Sequence, residues 1–126
     1  MLDRFLKKFR RPAERQDFVV GAYYSIENKG TYGIAKVLAV DKGGIHVRLY
    51  RNSRQTRPIE IDPTKLELGG TINDEGRVGI GHLPLTREHF IAWEPVLLQR
   101  GSVQNDELDG FRDWQELEGG YFDIPS

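Results

Sequence analysis

Arg48, Arg51, Arg54 and Arg57 recur every three residues around Tyr50, the densest set of guanidinium groups outside the N-terminal segment. A guanidinium offers a planar fork of donors that fits a carboxylate or a phosphate oxygen pair. Arginine and tyrosine are also the residue types that dominate interface energetics. The plain alternative is an exposed loop whose arginines keep it in solution. His46, His82 and His89 show neither the HxxxH nor the HExxH spacing of a zinc helix, and their ordinary roles are a strand-face hydrogen bonder, a turn residue and a helix-surface residue. Gly79-Ile80-Gly81 starts like a phosphate loop, lacks the third glycine and runs into Pro84. No GxSxG elbow or P-loop occurs, and Asp74-Glu75 lack the ligand spacing of a calcium loop. With no cysteine, disulfides, thiolate zinc sites and cysteine nucleophiles are excluded. No catalytic residue, metal or cofactor is assigned, and the expectation is a protein that is not an enzyme.

The arginines sit on a stretch that reads as the centre of the fold. TYGIAKVLAV and IHVRLYR flank a tight Asp41-Lys42-Gly43-Gly44 connection, the signature of an antiparallel hairpin between Thr31 and Ile61. Alternation places Ile45, Val47 and Leu49 toward a core and His46, Arg48 and Tyr50 outward. A polar NSRQTR loop then leads to PIEI, which Pro58 reduces to an edge or bulged strand. Upstream, FVVGAYYSI (18–26) reads as a strand that turns at Asn28-Lys29-Gly30, with Gly21 and Gly33 marking bends. Downstream, Thr71–Ile72 and Val78–Ile80 flank a second, longer hairpin loop.

Helical signals come at three places. Leu2, Phe5, Leu6 and Phe9 share one helical face before Pro12. Thr86 is a good N-cap, with Leu85 and Phe90 placed as a hydrophobic staple, and Pro95 ends that helix near Trp93–Glu94. Val96-Leu97-Leu98 then reads as a buried, closing strand. Asn105 or Asp106 caps a last helix through Leu117, whose Leu108, Phe111, Trp114 and Leu117 fan over half the cylinder. The fold class is mainly β (α+β): a small five- to six-stranded, strongly bent antiparallel barrel with short N-terminal, middle and C-terminal helices.

Charge divides this single domain into three parts. Residues 1–16 carry six Lys/Arg against two acids (+4), residues 17–101 carry eleven against ten (+1), and residues 102–126 carry one against seven (−6). They read as a basic amphipathic helix, a barrel with an inserted short helix, and an acidic helix and tail. Head and tail could pair within a chain or between subunits, so a homodimer through the N-terminal helix or the acidic tail is open. No run of about 18 apolar residues exists and MLDRFLKKFRRP lacks a secretory core, so the cytoplasm is the expected location.

YGIAKVLAVDKGGIHVRLY resembles the core of Tudor-type small barrels over roughly Val20 to Ile61. The later GIGHLPLTREHFIAWEPVLL is similar to a block in small bacterial proteins of uncharacterised activity. The Tudor resemblance implies an aromatic cage for methylated lysine or arginine, for which Tyr24, Tyr32 and Tyr50 are the candidates. Arg51-Asn52-Ser53-Arg54 departs from the acidic and amide residues such domains carry after that strand. The leading expectation is a protein-interaction module, of an immunity-like or complex-assembly kind. The alternative is a barrel that binds nucleic acid or a cationic or methylated peptide. The binding residues are Arg48, Tyr50, Arg51, Arg54, Tyr24 and Tyr32.

Overall fold

The computed structural model describes residues 18–68 and 79–122. The basic head helix, the hairpin around Asn73-Asp74 and the extreme C-terminus lie outside the described residues. Five antiparallel strands form one sheet: β1 (Tyr23–Asn28), β2 (Thr31–Val40), β3 (Ile45–Arg54), β4 (Ile80–Leu85) and β5 (Val96–Gln99), in the order β4-β3-β2-β1-β5. Among the described residues no ladder joins β4 to β5, so the sheet is open where a closed barrel is expected from the sequence.

Local chemistry sets the two central hairpins. Between β1 and β2, Lys29 and Gly30 both have positive φ, the two-residue turn whose twist matches the strands it joins. Between β2 and β3, the Asp41 carboxylate accepts from the N–H groups of Gly43 and Gly44, both at 2.9 Å, and Asp41 N–H donates to Gly44 O. The β2–β3 register slips between Gly33 and Ala35 and again between Val37 and Ala39, bulges that bend the sheet. Gly21, with φ of 90°, lies so close to Gly101 that an added Cβ would strike the Gly101 carbonyl oxygen. Gly21→Ala is therefore expected to cost more than about 1 kcal/mol, read as a lower denaturation midpoint in urea, since strain and a backbone clash add.

One sheet face carries the main core: Tyr24, Ile26, Ala35, Val37, Ile45 and Val47 pack with Phe18, Leu85 and Phe90. Phe90 comes from helix α1 (Arg87–Ala92), whose N-cap is Thr86, its hydroxyl accepting from His89 N–H. The opposite face is covered as well. Tyr23, Ile34 and Tyr50 meet Leu66, Leu68 and Leu98, while helix α2 (Asp109–Glu116) lays Phe111 and Trp114 over His46. The expected inside–outside split of β3 thus holds for Ile45 and Val47, but His46 and Tyr50 are buried on the second face.

Three further expectations are corrected. PIEI is not a strand: Arg57 donates to Ser25 O and Oγ, Pro58 has no N–H to offer, and Ile59 is 89% exposed. Val96-Leu97-Leu98 is a strand but an edge one, with Val96 and Leu97 substantially exposed. The last helical segment is capped by Gln104 and not by the expected Asn105 or Asp106, and it opens with a short 3-10 turn (Asn105–Leu108) in a reciprocal capping box with Glu107.

Candidate functional site

β2 and β3 place Lys36 and Arg48 opposite one another on the second face of the sheet. Lys36 is 3% exposed, and so charged a group is buried only when its donors are satisfied. Its ammonium donates to Ser102 O at 2.8 Å and to both oxygens of Glu107 at 2.9 and 3.1 Å, and it lies 5.1 Å from the centre of the Tyr23 ring. Arg48 donates to Gly81 O at 3.3 Å and approaches Glu107 at 3.5 Å. Glu107 also accepts from Gln104 N–H at 2.8 Å. Burial alone would raise the Glu107 pKa, but these donors together hold it below the usual value.

Around this ion cluster opens a cleft of about 540 Å³, lined among others by Tyr23, Tyr50, Leu66, Leu68 and Arg100. Arg100 is exposed and carries no ion pair among the described residues. Lys36, Arg48 and Arg100 against Glu107 leave the cleft a net charge of +2. Burial, with lesser contributions from Tyr23 and Glu107, raises the Tyr50 pKa, so its phenol stays protonated.

Of the residues singled out in the sequence, the cleft brings together Arg48 and Tyr50. Arg51 instead pairs with Glu67 at 3.0 Å, and Arg54 is exposed beyond the cleft. Tyr24 is in the main core, where its hydroxyl accepts from Val19 N–H. Tyr32 lies beneath the Arg57 guanidinium, 5.0 Å from its ring centre. Tyr24 and Tyr50 thus belong to opposite faces, and the three tyrosines form no aromatic cage. Lys36, Arg100 and Glu107 are not singled out in the sequence reading, though the lone lysine inside Ala35-Lys36-Val37-Leu38 marks a second, polar face.

A second constellation adjoins it. His46 Nδ1 lies 2.9 Å from His82 Nε2, and His46 Nε2 lies 3.0 Å from Asp41 Oδ2 and from the Tyr121 hydroxyl. Tyr121 in turn donates to Asp41. Because the carboxylate only accepts, His46 carries its proton on Nε2 and accepts from His82 through Nδ1. His82 is therefore not a turn residue but a partner on β4. Burial lowers the His46 pKa, and burial with the neighbouring His46 takes His82 to about 4. Burial would raise Asp41, but hydrogen bonds from Tyr121, His46 and Gly44 together hold it below its ordinary value. Phe111 and Trp114 close over His46 with ring centres 4.6 and 4.5 Å away. Through Tyr121 the network ties the C-terminal segment to the sheet. Among the described residues no three His, Cys, Asp or Glu side chains gather as a metal site, and no helix is long and apolar enough to cross a membrane.

Comparison of the chain with protein-family models, with curated proteins and with solved structures finds no match.

Proposed function

We propose that this chain is a non-catalytic protein-interaction module, a small bent β domain of Tudor-like character that engages another protein through the cleft beside β2 and β3. An immunity-like or complex-assembly role is the form this takes. The observation that carries the reading is the convergence of Arg48 and Tyr50 with Lys36, Tyr23 and Arg100, which has no ion pair among the described residues, on one concave, polar surface. Arginine and tyrosine at the centre of a recess are what interface hot spots are made of. The nucleic-acid alternative is less well supported, because the remaining arginines are dispersed: Arg51 is paired with Glu67 and Arg57 is held by Ser25. A continuous basic track is what a phosphate backbone requires.

The test is affinity capture from cells that make the protein, comparing wild type, Arg48→Glu with Arg100→Glu, and an Arg54→Glu control. Loss of a specific partner in the double variant but not in the control is expected. Identical partner sets in all three would overturn this surface.

A further inference from the structure

The cleft already holds a carboxylate, and it is the chain's own. Glu107 receives Lys36 at 2.9 and 3.1 Å, Arg48 at 3.5 Å and Gln104 N–H at 2.8 Å. The segment that carries it lies at the surface: no residue of the 3-10 turn Asn105–Leu108 is buried, and residues 100–102 and 104–106 are exposed. The cations beneath are by contrast fixed on the two longest strands of the sheet, ten residues each. Strand-borne cations under a surface acidic cover leave a positive excess among the described residues, where Arg100 at the rim carries no ion pair.

We propose that the cleft is a carboxylate-binding site whose resident acid is Glu107, and that the ligand is an acidic segment of a partner protein that takes over Lys36 and Arg48 and adds Arg100. This deepens the reading given under Proposed function and rests on it. Carboxylates fit better than a nucleic-acid backbone because the floor presents two cations around one bound carboxylate, in a recess walled by Tyr23 and Tyr50, and not a row of evenly spaced charges. Displacing Glu107 exchanges one carboxylate for another on the same donors, so the cleft's desolvated lysine keeps a partner throughout.

A fluorescein-labelled hexaglutamate peptide, followed by anisotropy across a salt series, tests this in the full chain. Glu107→Gln keeps an oxygen acceptor for Gln104 N–H and Lys36 but removes the competing charge, so it is expected to tighten binding about tenfold. Arg100→Glu, at an exposed position, is expected to weaken it about tenfold, and Arg54→Glu to leave it unchanged. Thermal melting of each variant establishes that it is folded, and Arg100→Glu reads the site even where Glu107→Gln does not fold. Unchanged peptide affinity in Arg100→Glu overturns the proposal. So does tighter binding of an oligothymidylate of equal charge than of hexaglutamate. If partner capture is lost in the Arg48/Arg100 variant while hexaglutamate ignores Arg100→Glu, the protein-binding surface stands and the carboxylate assignment falls.

Discussion

Lowering the pH from 7 to 4.5 is expected to remove about 1–2 kcal/mol of folding stability through the His46–His82 pair, less than the full shift would give because His82 is only half-buried. His46 and His82 are neutral in the folded chain, with pKa values below the ordinary 6.5 and, for His82, about 4. Groups with a depressed folded pKa bind protons more readily when unfolded. Their stabilisation is complete above 6.5 and is lost as the pH falls from 6.5 toward about 4. The geometry gives the cause. The first proton is taken at His82 Nδ1 with the His82-to-His46 hydrogen bond intact but in a poorly solvated place, and a second, on His46 Nδ1, sets two N–H groups against each other across 2.9 Å. Asp41 on the other side of His46 partly offsets the charge, whereas Phe111 and Trp114 give it no solvation. Asp41 and Glu107, both held low, add to the loss only near and below their ordinary values of 3.8 and 4.5. Urea denaturation at a series of pH values measures the slope. His82→Phe, which keeps a ring against His46 but removes a titrating group, should flatten that slope between pH 6.5 and 4, and an unaltered slope would refute the assignment.

Phe90→Ala should destabilise the fold by about 3–5 kcal/mol at pH 7. The ring is fully buried, and it meets Phe18 and Tyr24 edge-on with ring centres 5.0 and 6.0 Å away. Its helix is too short to persist without that docking. Phe90→Leu, which retains most of the volume, should cost less than half as much. Equal midpoints for wild type and Phe90→Ala in denaturant titrations would mean that α1 does not plug the core.

What could be read from the sequence was whatever is decided over a few neighbouring residues. Asp41-Lys42-Gly43-Gly44 makes its turn with its own carboxylate and amides, and Thr86 caps its helix three residues on. β4 went unread because Gly81 and Pro84 punctuate GIGHLPL, and its strand identity comes only from pairing with β3. PIEI is the converse case: alternation suggested a strand, but among the described residues no neighbour offers it a ladder. The sidedness of His46 and Tyr50 depended on a covering layer drawn from elsewhere in the chain, Leu66, Leu68 and Leu98 over Tyr50 and Phe111 and Trp114 over His46. The cleft was half legible, as Arg48 and Tyr50, because alternation puts them on one face. Lys36 and Glu107 are 71 positions apart, and no local pattern links them.

The two rims of the sheet are unlike. Along β4, Pro84 lacks an amide hydrogen, its carbonyl already receives Phe122 N–H, and Thr86 N–H is bound to Phe122 O. That end of the rim is occupied by Phe122. β5 is short, presents Val96 and Leu97 to solvent and, among the described residues, has a neighbour on one flank only. Among the described residues, the edge with free backbone groups along its whole length is therefore that of Val96–Gln99, the place where an added extended peptide would continue the sheet.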